Sequence, residues 1–301
     1  MSGISPARYS KRRPIISPLR YPGGKSSLYS RLRAVIRDNG LAGCRYVEPY
    51  AGGAGAGLGL LITGQVDEVV INDLDPSIHA FWSTLKHRNE WLARQVELID
   101  VSVEQWRKQK LIYETASTAK IDKLGFATLY LNRTNRSGIL NGGPIGGHKQ
   151  TGNYKIDARF NREELADRIR LLGKYSDKIT VLSEDGCTVI GRYAAQKSTF
   201  IYADPPYFEK AGSLYLNKFT ADAHARLAEL LNRKASSNWV LTYDAVPQVA
   251  ELYPNRRRYE FDLRYSAREA RAATEIVVLS DALMALRPGW PLQPLTNPET
   301  G

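Results

Sequence analysis

Short apolar runs that alternate with helical stretches are the feature that most constrains how this chain can fold. The runs EVVIN at 68–72, TFIYA at 199–203 and WVLTY at 239–243 are rich in β-branched and aromatic residues, as buried strands are. Sequence with a helical pattern lies between them. Alternation of this kind predicts an α/β fold, in which a mostly parallel sheet carries helices on both faces.

The same pattern gives the expected order of elements along the chain. Strands are expected at 45–48, 68–72, 179–183, 199–203, 239–243, 259–265 and 274–280. Helices are expected at 26–39, 58–63, 76–97 and 222–234. A glycine-rich turn over 49–59 is expected to join the first of these strands to the helix that follows it.

Residues 99–174 break this alternation, because they are helical, basic and rich in glycine and asparagine near their middle. We interpret them as an insert with a function of its own. The predicted organisation is a catalytic domain made of 18–98 and 175–285, the insert 99–174, and flexible termini at 1–17 and 286–301.

The positive charge of the chain is concentrated in this insert. Lys and Arg number 42 against 31 Asp and Glu, a formal net charge of +11. Residues 86–174 contain 17 Lys and Arg and 10 Asp and Glu, so this part alone carries +7. A second basic cluster runs from Arg256 to Arg271. Such concentration suits a surface that binds a polyanion, although a solvated surface that keeps the protein soluble is an equal alternative.

Several classes of protein are disfavoured by the sequence. No apolar run approaches the length of a membrane span, and the basic start has no apolar core of signal-peptide length. Cys44 and Cys187 lack metal-type spacing, so we expect small core residues in a reducing compartment, with a single disulfide as the weaker alternative. We therefore expect a soluble, cytoplasmic protein without a metal site. The four histidines form no ligand motif: His79, His87, His148 and His224.

The tetrapeptide Asp204-Pro205-Pro206-Tyr207 directly follows the run TFIYA. Ligands of open α/β sheets bind beyond the carboxyl ends of the strands, which is where this loop would lie. It offers a carboxylate and an aromatic ring, and its prolines lack backbone donors, which leaves nearby carbonyls freer to accept from a ligand. The motif indicates a site for an amino group on a ring stacked against Tyr207, whereas a tight strand exit with a packed tyrosine is the alternative.

The segment YVEPYAGGAGAGLG at 46–59 places glycines after another strand, where they would let the backbone approach a ligand closely. It does not match the dinucleotide fingerprint G-x-G-x-x-G, because Leu58 stands at the third glycine position counted from Gly53. A pyrophosphate cofactor is disfavoured and a nucleoside cofactor is not. A plain tight turn between strand and helix is the alternative.

An acidic residue follows the next strand. Asp73 comes at the end of EVVIN, 21 residues after Gly52, where an acid commonly bonds a ribose hydroxyl. Asp75 is the competing choice, or else caps the following helix. Upstream, RYPGGKS at 20–26 mimics a phosphate-binding loop but has Leu19 where the first glycine is required, so we reject an NTPase.

Five blocks in one order, RYPGGK, VEPYAGGAG, INDLD, LYLNRTNRSGI and YADPPY, resemble the Dam-like DNA adenine methyltransferases. These belong to the alpha group of amino-methyltransferases, whose target-recognition insert precedes the DPPY loop. The resemblance spans about 19–280. It implies a Rossmann-like methyltransferase fold with a mainly helical target-recognition insert, S-adenosyl-L-methionine as cofactor and double-stranded DNA as partner.

The resemblance also implies roles for individual residues. The cofactor would be held by Tyr21, Lys25, Glu48, Pro49, Tyr50, Gly52, Gly53, Asp73 and Asp204. Lys25 would lie near the methionine carboxylate and Asp73 at the ribose. The catalytic group would be Asp204, Pro205, Pro206 and Tyr207, which receives a flipped adenine. The chain departs from the family's commonest form at Ala54, where glycine is frequent.

DNA recognition is expected in the segment 132–155, where glycines would let a hairpin enter the major groove. Arginine suits guanine and asparagine suits adenine in that groove, while contact with phosphates alone is the alternative. The candidate DNA-binding residues are Arg133, Asn135, Arg136, Asn141 and Lys149. Related enzymes that act on cytosine tend toward serine in place of Asp204, so adenine is favoured. RNA adenine and a catalytically idle binding module stay as rival hypotheses.

Overall fold

The computed structural model of the protein describes residues 16–20, 28–117, 120–208, 219–264, 272–284 and 293–294. Its strands are β1 (Arg45–Glu48), β2 (Glu68–Asn72), β3 (Ile179–Leu182), β4 (Thr199–Ala203), β5 (Trp239–Asp244), β6 (Arg257–Arg264), β7 (Ala272–Leu279) and β8 (Gln293–Pro294). Its helices are α1 (Tyr29–Asp38), α2 (Gly55–Ile62), α3 (Pro76–Leu98), α4 (Val103–Glu114), α5 (Ile121–Thr134), α6 (Arg162–Gly173), α7 (Gly186–Tyr193), α8 (Ala221–Arg233) and α9 (Pro247–Leu252).

The strands form one sheet in the order β3-β2-β1-β4-β5-β7-β6-β8. Strands β3, β2, β1, β4 and β5 pair in parallel, whereas β7 is antiparallel to both β5 and β6. Because neighbouring parallel strands point the same way, the chain leaves β1, β2 and β4 at one common edge. The mostly parallel sheet confirms the predicted α/β fold of Rossmann type.

Alternate residues of the strands pack into two different apolar cores, one on each face of the sheet. Tyr46 and Tyr202 point into the core under α1, α2 and α3. Val47, Ile201 and Leu241 point into the opposite core, which α7, α8 and α9 complete. The central strands are therefore buried on both faces, which explains their continuous apolar sequence.

The helices of the insert are packed directly on α3. Gly125 of α5 faces Ala80 of α3 so closely that a Cβ atom there would lie 2.5 Å from the Ala80 carbonyl oxygen. Arg170 of α6 makes ion pairs with Glu90 and Glu97 of α3. Apolar residues of α5 and α6 belong to the same cluster as those of α1 and α2. The assignment of 99–174 to a separate recognition domain stays a prediction.

The ends of the chain and the cysteines add three observations. Ile16 and Ser17 are buried, so the last two residues of the predicted flexible arm pack into the structure, while 1–15 lie outside the described residues. Gln293 and Pro294, within the predicted flexible tail, pair with β6. Cys44 and Cys187 are both free thiols. In the part of the chain that the structure describes, no helix is long and apolar enough to cross a membrane.

The glycine-rich segment differs from its prediction as a turn through Gly59. Helix α2 already begins at Gly55, three residues before the predicted start. Gly57 lies inside this helix. The position requires glycine because a Cβ atom there would meet the Tyr46 ring at 2.8 Å. The later glycines thus permit close packing of a helix on a strand, and only residues 49–54 form the turn.

Candidate active site

Three loops meet at the carboxyl edge of the sheet, after β1, β2 and β4. They are the turn 49–54, the acidic segment 73–75 and the tetrapeptide 204–207. The strands that carry them are adjacent, in the order β2-β1-β4. The three motifs that the sequence singled out separately are therefore brought together by the topology of the sheet.

The turn after β1 is fixed by hydrogen bonds to its neighbours. Gly52, at φ +47°, donates its N–H to Asp73 Oδ2 at 2.8 Å, and its carbonyl accepts from Trp82 Nε1 at 2.8 Å. The carbonyl of Pro49 accepts from Asn72 Nδ2, also at 2.8 Å. Ala54 has φ +46° and ψ +28°, a left-handed conformation that costs a non-glycine residue about 1 kcal/mol. A glycine at position 54, the residue that the resemblance leads one to expect, would adopt this conformation without that cost.

The two acids after β2 have different tasks. Asp75 caps α3, because its side chain accepts from the backbone N–H of Ser77 at 2.8 Å. Asp73 instead faces the turn and accepts from the N–H groups of Gly52, at 2.8 Å, and Asp75, at 2.9 Å. Burial raises the pKa of Asp73 to about 6, although both N–H groups favour its ionised form. Of the two acids, Asp73 is thus the one placed to meet a ligand.

On the expectation from the resemblance above that S-adenosylmethionine is the cofactor, we predict that replacing Asp73 with asparagine weakens its binding by about 1–3 kcal/mol at pH 8, the range for a charge-assisted hydrogen bond. The wild-type carboxylate is ionised above its pKa of about 6, so cofactor affinity should fall as the pH drops through 6. The asparagine variant should lose this pH dependence. Calorimetry between pH 5 and 8 measures both effects.

The control is Asp67→Asn. Asp67 is exposed and directly precedes β2, at the end of the strand opposite Asp73, so this variant should bind the cofactor as the wild type does. Equal affinity of wild type and the Asp73 variant at both ends of the pH range would remove Asp73 from the cofactor site.

Glu48 lies beneath the turn and is buried between β1 and α2. Its Oε1 accepts from the Tyr46 hydroxyl at 2.9 Å and from the backbone N–H of Gly57 at 3.2 Å. Burial raises the pKa of Glu48 to about 8, so the group keeps its proton at neutral pH. Its contacts hold the base of the turn. Of the other candidates, Gly53 is buried and Tyr50 is half-buried against Gly186 and Phe219.

Asp204 follows β4 and is held by hydroxyl groups. Its Oδ1 accepts from Thr242 Oγ1 at 2.7 Å and from the Tyr207 hydroxyl at 3.2 Å. Pro205 is buried and Pro206 is half-buried. Tyr207 is 8% exposed, and its ring centroid lies 6.4 Å from that of Tyr243. The loop therefore places a carboxylate and a phenol side by side at the ends of the central strands.

An aromatic cluster that the sequence did not reveal supports this loop. The Phe208 ring stacks on the His224 ring with centroids 3.7 Å apart, and Phe219 meets the same ring edge-on at 4.6 Å. His224 Nδ1 lies 2.7 Å from the Tyr243 hydroxyl. Burial lowers the pKa of His224 to about 4, so the ring is neutral at pH 7. These residues come from three separate segments, and no local pattern marks them as neighbours.

Two of the residues predicted to bind DNA, Arg133 and Asn135, are buried in the described structure, and their contact with DNA stays a prediction. Asn135 is fully buried, and its side-chain oxygen accepts from Trp106 Nε1 at 2.6 Å. Its amide nitrogen donates to the carbonyls of Ile139, at 2.8 Å, and Leu140, at 3.0 Å. Arg133 is 8% exposed, and burial is the main reason that its pKa is lowered. Both polar atoms of the Asn135 side chain thus form hydrogen bonds that hold the loop in place.

The remaining candidates lie on the surface of the same loop. Arg136, Asn141 and Lys149 are all exposed. The backbone between them turns sharply, with Ser137 at φ +56° and Gly138 at φ +77°. These three side chains are therefore exposed to solvent, whereas Arg133 and Asn135 are buried.

Asn132 links this loop to the start of the described chain. Its Oδ1 accepts from the N–H of Arg20 at 2.6 Å, and its Nδ2 donates to the carbonyls of Arg20, at 2.7 Å, and Gly138, at 2.9 Å. The segment that follows Arg20 contains Tyr21 and Lys25, which lie outside the described residues, so their cofactor roles stay predictions. One buried amide thus joins the loop that carries Arg136 to the chain leading into the proposed cofactor block.

The chain matches one family model and is similar to two methyltransferases in sequence and to one in structure. The model of one family, described as D12 class N6 adenine-specific DNA methyltransferase, matches residues 21–267. The Retron Ec67 DNA adenine methylase of Escherichia coli is 24% identical over 278 residues, which cover 88% of this chain and 91% of that protein. The Type II methyltransferase M.CviBI of Paramecium bursaria Chlorella virus NC1A is 22% identical over 272 residues, with 88% and 96% covered. A Pyrococcus horikoshii structure described as an RNA methyltransferase aligns at 11% identity and a TM-score of 0.39, with 91% of this chain and 96% of that chain covered.

Proposed function

This chain belongs to the D12 class N6 adenine-specific DNA methyltransferases, and on that premise we propose that it transfers the methyl group of S-adenosyl-L-methionine to the 6-amino group of adenine in double-stranded DNA. The observation that carries the proposal is the position of Asp204. Its carboxylate is anchored at the end of β4, one strand away from the turn whose Gly52 is tied to Asp73. An acceptor for an amino group and a cradle for a nucleoside therefore lie side by side.

The residues of the turn fit the proposed cofactor. The left-handed conformation of Gly52 opens the backbone to close approach, and the Asp73 carboxylate has lone pairs left to accept ribose hydroxyls. Tyr21 and Lys25 would complete the site from the preceding block. When bound, S-adenosylmethionine supplies an activated sulfonium methyl group.

The protein's own part in the reaction is to prepare the adenine amino nitrogen. Its lone pair is delocalised into the ring, which makes the nitrogen a weak nucleophile. Hydrogen bonds from the amino group to the Asp204 carboxylate and the Pro205 carbonyl would favour tetrahedral geometry and localise the pair. In-line attack would form the nitrogen–carbon bond as the methyl–sulfur bond breaks, releasing a neutral thioether, and the methylated nitrogen would then lose one proton to solvent. No covalent enzyme intermediate would be needed, and positioning would supply much of the rate.

The amino group is out of reach inside a duplex, so the adenine must be flipped out of the stack. Flipping costs a few kcal/mol, and stacking on an aromatic side chain can return about 1–3 kcal/mol. Tyr207 is the residue proposed to stack. It lies beside Asp204, and its hydroxyl contacts that carboxylate. Phosphate contacts from the basic insert would supply most of the remaining affinity.

A methyl-transfer assay tests the proposed function. The purified chain is incubated with S-adenosylmethionine carrying a labelled methyl group and with duplex DNA, single-stranded DNA or RNA. We expect the label in N6-methyladenine of the duplex. Label in cytosine would redirect the proposal to the 4-amino group, and label in RNA alone would change the substrate. Binding of DNA without any transfer would indicate an idle module.

We predict that Arg136 reads a base. Replacing it with alanine should weaken binding to the preferred site by about 1–3 kcal/mol and relax sequence preference at one position. The reason is its exposure on the turn next to the glycines. Sequencing the methylated sites made by the variant in a host without methylation measures the preference.

Arg226→Ala is the matched control, because Arg226 is 65% exposed on α8, outside the insert. It should leave the site preference unchanged. Uniform weakening on every sequence by the Arg136 variant would instead indicate a phosphate contact. Substitution of the buried Asn135 should lower stability, because it removes the partner of the Trp106 N–H group.

A further inference from the structure

We propose that Thr242 is a positioning residue for methyl transfer: its hydroxyl, itself held by the Tyr202 hydroxyl, fixes the orientation in which the Asp204 carboxylate receives the adenine amino group. The inference rests on the proposed function and adds to it a residue from a different strand. Tyr202 opens the block YADPPY but was given no role there, and Thr242 lies outside the blocks that pointed to the site.

Thr242 is placed for this task by the pairing of β4 and β5. In that parallel pair Ala203 lies opposite Leu241, so the next residues, Asp204 and Thr242, are neighbours at the carboxyl edge. Thr242 is 1% exposed, and its Oγ1 lies 2.7 Å from Asp204 Oδ1. The same oxygen lies 2.8 Å from the Tyr202 hydroxyl. Thr242 thus bridges a buried tyrosine and the catalytic carboxylate.

The direction of these hydrogen bonds follows from counting protons. An ionised carboxylate only accepts, so the single hydroxyl proton of Thr242 is given to Asp204. The Tyr202 hydroxyl must then donate its proton to Thr242. Tyr202 keeps that proton, because burial and the nearby Asp204 charge raise its pKa well above the ordinary value. The result is a one-way relay of donors from Tyr202 to Thr242 to Asp204.

The relay matters because of where its members are anchored. Tyr207 also donates to Asp204 Oδ1, but it belongs to the same loop as Asp204. Thr242 belongs to a central strand, which pairs with β4 on one side and β7 on the other. A carboxylate tied to such a strand cannot rotate freely about its Cβ–Cγ bond. Its second oxygen is thereby held in a defined plane, and preorganisation of this kind favours the transition state.

The test compares Thr242→Val, which keeps the shape but removes the hydroxyl, with Thr242→Ser, which keeps the hydroxyl. In single-turnover methylation of duplex DNA, the valine variant should lose about 10- to 100-fold in rate, less than the loss of a donor that contacts the reacting atoms themselves. Its dissociation constants for cofactor and DNA should stay within about threefold, since a group acting mainly in the transition state changes kcat more than binding. The serine variant should restore most of the rate.

The pH profile separates positioning from a merely structural role. Removing a donor to the ionised carboxylate raises the pKa of that carboxyl group, so the acid limb of the rate profile should move to higher pH in the valine variant. Tyr202→Phe should move the limb in the same direction by less. If the valine variant does not fold, the phenylalanine variant decides: an unmoved limb overturns the proposal.

Thr199→Val on β4 is the matched control. Thr199 is also buried, and its hydroxyl has no hydrogen-bond partner among the described residues, so the same chemical change should leave rate and profile as in the wild type. A wild-type chain that methylates adenine while Thr242→Val keeps its rate and profile would refute the role of Thr242 alone. A wild type that does not methylate adenine would refute the proposed function instead.

Discussion

Replacing Asp204 with alanine should lower the rate of methyl transfer by about a thousandfold, the upper range for losing one preorganised group at a reacting centre. The carboxylate is expected to act mainly in the transition state, by accepting a hydrogen bond from the amino group as the nitrogen becomes tetrahedral. Binding of cofactor and DNA should therefore survive in part. Single-turnover kinetics and calorimetry on the same preparation measure the two effects separately.

Asp204→Asn refines this test, because the amide keeps the shape and one acceptor oxygen. Thr242 would still find an oxygen to donate to, so the loop should stay in place. We expect a smaller loss than for alanine, since charge is lost but geometry is kept. Turnover of the alanine variant within tenfold of wild type would remove Asp204 from the mechanism.

Gly125→Ala should destabilise the protein by about 1–3 kcal/mol, the range of overpacking a tight interface. Helix propensity alone predicts the opposite sign, since alanine in a helix interior is favoured over glycine by about 1 kcal/mol. Packing decides the outcome, because the new Cβ would lie 2.5 Å from the Ala80 carbonyl oxygen and even closer to Thr84 Oγ1. The first of these is a backbone atom and cannot swing aside. Urea unfolding measures the change.

Gly191→Ala in α7 is the control that measures the contribution of helix propensity to the free energy of unfolding. A Cβ atom there would meet nothing within 4 Å, so this variant should gain about 0.5–1 kcal/mol. Opposite signs for the two glycine substitutions would establish the close contact between α5 and α3. A stabilised Gly125→Ala variant would mean that the two helices can separate at little cost.

The sheet and the order of the site motifs were predictable from sequence because their signals are local. Strands β1, β2 and β4 have the predicted bounds, since their central residues are apolar and buried on both faces of the sheet. Asp73 and Asp204 were found by their positions directly after such strands. The side chains that orient them were not, because Thr242 and Trp82 reach the site from other elements and carry no motif.

The segment 132–155, which was predicted to bind DNA, shows more clearly what sequence cannot reveal. Asparagine and arginine next to glycines indicate base contacts, yet Asn135 and Asn132 are buried and bind backbone groups. A polar side chain that closes a loop and one that reads a base have the same composition in sequence. Only their burial separates them, and burial is a property of the packed fold.

The continuity of the core between α3 and the insert bears on how new target specificities arise and can be engineered. Apolar residues of α5 and α6 share one cluster with α1 and α2, so a chimera joined at residues 98 and 175 would divide that cluster. The exposed side chains of the loop, such as Arg136 and Lys149, can vary without touching it. If this loop reads DNA as proposed, exchanging its exposed side chains would be expected to change the recognition sequence while leaving the shared apolar cluster intact.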